Sequence, residues 1–272
     1  MKTIQKTLAL TVAIAGLIGA SVSPAMAHRM WMLPSSQTLS GQKAWVTVDA
    51  TVPNELFVFD HVAMNLDGLK ITGPEGQAVA AQNLAKGKLR QTFDIELTAP
   101  GTYRVRNGFS MGLISFKKDG KPDRMRVAIA DLNKAVPEGA TDVVRAESHS
   151  VVESYVTLGA PTQIKPAGQG LEMVPITHPA DVVAGEAATF QFVVEGKPVA
   201  GIEVEVVKGG LGATRFVDAS KSLTLKTDAD GKVTFTPSEP GIYWLGAEGE
   251  GKTAEGNKRY VRYFLTFEVQ KS

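Results

Sequence analysis

The stretch QKAWVTVDA, Gln42 to Ala50, decides the fold class. Its side chains alternate: Ala44, Val46 and Val48 fall on one face of an extended chain, and Trp45, Thr47 and Asp49 on the other. The same period of two recurs outward from it. ATFQFVVEG (Ala188 to Gly196) brings Phe190, Phe192 and Val194 together. GIEVEVVKG (Gly201 to Gly209) sets Ile202, Val204 and Val206 against Glu203 and Glu205, and RYVRYFLTFEV (Arg259 to Val269) reads as a final strand. Gly and Pro/Asp/Asn turns separate these runs at short intervals, which accounts for 27 Gly and 14 Pro. Only residues around Arg126 to Lys134 look briefly helical. The chain reads as all-β.

A weak internal repeat sharpens this. Ser40-Gly41 opens one strand, and TAPGTYRV (Thr98 to Val105) follows about sixty residues later. Ala184-Gly185 opens another, and SEPGIYWL (Ser238 to Leu245) follows at nearly the same distance. Each PGxY turn feeds an apolar strand, and Tyr103 and Tyr243 are expected in equivalent places with their rings turned inward. SFKKDGKPDRMRV (Ser115 to Val127) predicts a hairpin around Asp119-Gly120. The expectation is two tandem immunoglobulin-like or transthyretin-like β-sandwich domains, over 28–160 and 165–272, joined within Leu158 to Gly170.

Residues 1–27 read as a cleavable secretory signal. Lys2 and Lys6 precede the apolar core Thr7 to Ala20, too short for a comfortable membrane span, and Ala25-Met26-Ala27 is a small-x-small cleavage pattern. The mature protein is expected to start at His28, in the periplasm, with no membrane insertion. Cleavage removes two lysines and no acid, so the 29 Lys+Arg become 27 against 28 Asp+Glu. So balanced a chain has no electrostatic footprint for nucleic acid. The absence of cysteine excludes disulfides, thiolate metal sites and thiol nucleophiles. There is no HExxH, GxSxG, Walker A or dinucleotide glycine loop, so no catalytic residue is assigned.

Four residues are candidates for metal binding. Cleavage after Ala27 would give His28 a free amine beside its imidazole, two nitrogen donors suited to Cu(II) or Ni(II). His61 lies in NELFVFDHVAMNLDG, where strand alternation would put Leu56, Val58 and Asp60 on one face and Phe57, Phe59 and His61 on the other. Asp60 would then need a bulge to reach the same metal as His61. His178, in VPITHPAD, could face the first domain across the join, whereas His149 reads as an exposed strand residue. Met30 and Met32 are expected in the core, although a Met/His copper site is the sharper alternative.

The segments HRMWMLPS, NELFVFDHVAMNLDGL, YVTLGAPT, LEMVPITHPADVVAGEAATFQFVVEGKPVAGIEVEV and TDADGKVTFTPSEPGIYWL together resemble a periplasmic domain-of-unknown-function family associated with nickel or cobalt uptake (NikM-like). The resemblance covers essentially the whole mature chain. His28, Trp31, Leu33 and Pro34 match its mature start, His178 its histidine before proline, and His61 its closest relatives. It implies an accessory protein that handles Ni, Co or Cu for a membrane transporter or receptor. It lacks the histidine-rich inserts of many members. A metal-free scaffold or adhesion module and a histidine-brace copper oxidative enzyme are the competing classes.

Overall fold

The computed structural model describes residues 29–209 and 222–272, so the expected signal segment and His28 lie outside the described residues. The regular structure of the described residues is almost entirely strand. A five-stranded sheet comprises β1 (Trp31–Pro34), β3 (Ala44–Val52), β4 (Val62–Ala63), β7 (Gln82–Lys86) and β8 (Gln91–Leu97), in the order β1-β3-β8-β7 with β4 also on β3. A four-stranded sheet comprises β12 (Leu171–Pro175), β13 (Ala188–Val194), β14 (Lys197–Pro198) and β17 (Lys232–Phe235).

Between them lies a ten-stranded sheet. Its first half holds β2 (Thr38–Leu39), β5 (Leu69–Thr72), β6 (Ala78–Val79), β9 (Gly101–Lys118), β10 (Lys121–Val127) and β11 (Thr141–Leu158). Its second half holds β15 (Glu203–Lys208), β16 (Leu223–Lys226), β18 (Gly241–Lys252) and β19 (Lys258–Val269). The path runs β16-β15-β18-β19-β11-β9-β5-β6. The seam is the parallel pairing of β11 with β19, from Ala146 opposite Lys258 to Ser154 opposite Thr266. The two halves expected in tandem are therefore fused through one sheet.

Alternation along the seam strands sends successive side chains to different cores. Val152, Val156 and Leu158 of β11, Trp244 of β18 and Phe264 of β19 pack with Trp31, Val48 and Phe93 beneath the five-stranded sheet. Val151 and Tyr155, Tyr243 and Leu245, and Tyr263, Leu265 and Phe267 pack with Phe190, Phe192 and Phe235 beneath the four-stranded sheet. The molecule is thus a three-layer β-sandwich whose middle sheet is buried on both faces along β11, β18 and β19. Ser150 to Leu158 are all buried, as are Tyr243 to Ala247 and Tyr263 to Phe267. Strands covered on both faces favour apolar side chains at every position, and the runs YVTL, YWLGA and YFLTF show it.

The two PGxY turns form the same local device. Gly101 and Gly241 start β9 and β18 at φ values of 129° and 137°, where a side chain would be strained. The hydroxyl of Tyr103 donates to the carbonyl of Ala99 at 3.0 Å, and that of Tyr243 to the carbonyl of Glu239 at 2.9 Å. Both bonds reach back four residues, as in a tyrosine corner. Tyr103 enters one core and Tyr243 the other. The expected hairpin joins β9 to β10, with Asp119 and Gly120 at φ 51° and 74°, the signature of a type I′ turn. Among the described residues helix is limited to two short 3₁₀ turns, Ile129–Asp131 and Pro179–Asp181.

Candidate functional site

The five-stranded sheet covers only part of the middle sheet. On its side of β9 it buries Tyr103 and Val105, but beyond Asn107 the strand runs on with Phe109, Met111 and Leu113 only partly covered. Ser148 and Ser150 of β11, Glu248 of β18, and Arg262 and Phe264 of β19 continue this floor. The segment His61 to Gly68, which includes β4, forms one wall, Met30 and Val52 another, and Arg126 of β10 a third. Together they enclose a groove of about 830 Å³.

The wall carrying His61 is a loop where alternation predicted a strand. Pro53 and Asn54 end β3, and the Asp60 carboxylate accepts the backbone N–H groups of Asn54 (2.8 Å) and Glu55 (3.2 Å). Such carboxylate capping offers the backbone an alternative to sheet pairing. Phe57 sits at φ 61°, an uncommon conformation for an aromatic residue. Its buried ring packs 5.4 Å from Trp31, and Phe59 packs 5.3 Å from Trp31 on the same indole. Phe57 and Phe59 thus anchor the loop, Asp60 closes it, and His61 emerges exposed on the groove wall. Farther along, Asn107 donates to the Asn65 carbonyl at 2.8 Å. Gly68 lies so close to β9 that a Cβ there would come within 1.9 Å of the Gly108 carbonyl oxygen, which makes glycine obligatory.

The opposite wall is fixed as firmly. The Trp244 indole donates to the Met30 carbonyl at 2.9 Å, and Arg29 pairs with Glu205 at 2.7 Å. The chain therefore enters the fold along the groove. Met32 is fully buried as expected, and Met30, half-buried, packs against the same core while also lining the groove. At the floor, Arg262 donates to Glu248 at 2.6 Å and to Ser148 at 3.1 Å.

The remaining candidates lie elsewhere. His178 caps the second 3₁₀ turn: its Nδ1 accepts the Ala180 N–H at 3.0 Å, which leaves Nε2 to donate to the Thr102 hydroxyl at 3.1 Å. Both ring nitrogens are thus engaged in one neutral tautomer, and burial lowers the pKa of His178. Thr102 is six residues along β9 from Gly108, on the order of 20 Å away. The fold does not bring His178 to the groove that His61 lines. His149 is held by Ser110 and Glu147, each at 2.9 Å.

Sequence reasoning missed a second polar cluster, on the other face of the same strands. Glu153 of β11 is fully buried, and its Oε1 accepts from Arg104 (2.8 Å) and Arg106 (2.7 Å). Its Oε2 accepts from the hydroxyls of Tyr155 and Tyr263, both at 2.6 Å. Both arginines also reach Glu172, whose carboxylate accepts the N–H groups of Ala167, Gly168 and Gln169 and so pins the join between β11 and β12. Burial alone would raise the Glu153 pKa, but the two guanidinium groups and two phenols outweigh it and hold it below the ordinary value. Burial and the Glu153 charge push both tyrosines well up, so they stay protonated as donors. The signal in the sequence was an acid inside an apolar run, VVESYV.

Among the described residues no three of His, Asp and Glu converge as a metal cage, and no helix is long and apolar enough to cross a membrane. A family model described as Domain of unknown function (DUF4198) matches residues 25–251. No curated protein matches the sequence. Among solved structures, the chain is similar to a Ca²⁺-stabilised adhesin with which an Antarctic bacterium binds ice, at 12% identity, TM-score 0.25, over 90% of this chain and 75% of that one. It is also similar to BcpA, the major pilin subunit of Bacillus cereus, at 10% identity, TM-score 0.21, over 89% and 66% of the two chains. A third likeness, to red sea bream transglutaminase, has 13% identity and TM-score 0.23 over 90% and 32%.

Proposed function

We propose, on the premise that the chain belongs to the DUF4198 family, that it is a periplasmic accessory protein which binds a transition metal (Ni, Co or Cu) and presents it to a membrane transporter. His28, exposed as a new N-terminus by cleavage after Ala27, and His61 are the ligands of this reading. The observation that supports it is a convergence of two walls. His61 and Met30 line one groove, and Met30 stands two residues after His28 in the sequence. Because no described trio of His, Asp and Glu gathers there, His61 needs donors from outside that set. The amine and imidazole of a processed His28 are of the required kind. Asp60 supports the loop with both carboxylate oxygens and positions His61.

Calorimetric titration of correctly processed protein with Cu(II) and Ni(II) tests this. A variant with one residue added before His28 keeps the imidazole but moves the amine, and it should lose most of the affinity. His61→Ala should lose affinity and His149→Ala should not. Binding should weaken as pH falls, because protons compete for the same nitrogens. Equal binding by the extended variant removes the terminus from the site. No binding by any of the four proteins leaves the metal-free scaffold reading.

A further inference from the structure

The methionines are unevenly placed. Six lie among the described residues, and three of them, Met30, Met64 and Met111, line the groove that His61 lines. They come from three separate parts of the fold: the entering chain, the loop before β5, and the middle of β9. Met32 and Met173, by contrast, are 0% and 1% exposed within the two cores, and Met125 packs on the β9–β10 hairpin. Filling the interior explains Met32 and Met173. Met30 and Met111 are half-buried at the boundary with solvent, Met30 also packing against the core beneath the five-stranded sheet. Met64 is 1% exposed and belongs, like Met32, to the core beneath the five-stranded sheet, although it also borders the groove.

The chemistry of this gathering is specific. In a chain without cysteine, thioethers are the only sulfur donors, and they are soft, neutral ligands that select Cu(I) over borderline divalent ions. Methionine carries three rotatable bonds, so its sulfur can swing to an ion without movement of the backbone. Divalent Ni and Co favour imidazole and carboxylate donors, and among the described residues no three of His, Asp and Glu gather in the groove. A monovalent ion also brings less charge to a lining whose own charges are balanced, Arg126 and Arg262 against Asp67 and Glu248.

We infer that the groove is a Cu(I) site in which Met30 and Met111 supply thioether sulfur and His61 supplies imidazole nitrogen. This rests on the reading of the groove as a metal site and names its preferred ion. It does not require His28, since every donor lies among the described residues.

The test uses processed protein with Cu(I) delivered from its bicinchoninate complex, transfer being read by loss of the complex's colour. Cu(II) and Ni(II) are titrated separately. Met30→Leu with Met111→Leu should weaken Cu(I) binding at least about tenfold, a loss that even supporting groups of a metal site can cause. Met125→Leu should leave it unchanged, and Ni(II) binding should be the same in all three proteins. Against misfolding of the variants, a measurement on unaltered protein stands beside them. Ag(I), a redox-inert mimic of Cu(I), should slow peroxide oxidation of Met30 and Met111 at least about tenfold and leave Met125 unaffected, as expected when ligation removes the exposed sulfur that governs oxidation. Cu(I) binding that survives the double substitution, or silver protection equal at Met125, overturns the inference. Ni(II) binding without Cu(I) binding overturns it while the proposed function stands. Failure to bind any metal removes both.

Discussion

The strands β9, β11 and β19 carry polar residues on both faces, and the two faces treat them oppositely. On the side of the four-stranded sheet, Glu153 is sealed at 0% exposure and both of its oxygens are engaged by two arginines and two tyrosines. On the other side, Arg262, Ser148 and Ser150 floor a groove open to solvent. The sealed cluster ties together β9, β11, β12, β19 and the join. Burying charge is costly unless it is paired and hydrogen-bonded, so such a cluster persists only when complete. The open face has no such demand: Arg262 is paired with Glu248 and Ser148, and the groove above them stands open. The comparison separates polar residues that specify the fold from polar residues available for chemistry.

Substitution should break the two faces unequally. Glu153→Gln removes the charge that both arginines share and should cost about 3–5 kcal/mol in urea unfolding, the usual result of breaking a buried ion pair from one side. A loss below about 1 kcal/mol would show the cluster to be dispensable and end the contrast. Tyr155→Phe and Tyr263→Phe each delete one bond to a charged acceptor and should cost about 1.5–3 kcal/mol by the same measurement. The acid limb sharpens the point. A carboxyl held below its unfolded value of about 4.3 stabilises the fold above that pH, and the contribution is lost as pH falls through the folded value. The melting temperature of the wild type should therefore drop more steeply below about pH 4.3 than that of Glu153→Gln.

His178 should give a smaller effect. Its folded pKa is depressed by burial, so the unfolded chain binds the extra proton first and stability rises with pH up to the unfolded value of about 6.5. His178→Asn retains an N-cap acceptor for Ala180 and should flatten the melting temperature between pH 5 and roughly 6.5. On the open face, Met111→Leu conserves volume and should change stability by about 1 kcal/mol or less. A larger cost there would make Met111 a core residue in function as well as in type.

The fold class was legible because period-two alternation is local. Trp45, Thr47 and Asp49 against Ala44, Val46 and Val48 required no knowledge of the neighbours, and the PGxY turns announced the two tyrosine corners. The joining of the halves was not legible, since nothing in SVVESYV names RYFLTF as its parallel partner 112 residues away. The uninterrupted apolar runs did carry the sign of two-sided burial. Around His61 the local pattern misled: Phe57 and Phe59 alternate as in a strand, yet both are drawn onto Trp31 while Asp60 turns the backbone. The gathering of the groove methionines was not legible for the same reason as the seam: Met30 drew notice beside His28, but Met64 and Met111 join it only after the sheets assemble.

The placement of β19 between β11 and β18 sets an order of events. As the chain emerges from the ribosome, residues 141–158 appear long before residues 258–269, their partners along the seam. Until then one edge of β11 is unpaired, Phe264 is missing from the core beneath the five-stranded sheet, and Tyr263 has not reached Glu153. Pairing across so large a separation is intrinsically slow. The early half is thereby kept from setting into its final form before the late half arrives. Both cores therefore close in one late step, when residues 258–269 dock.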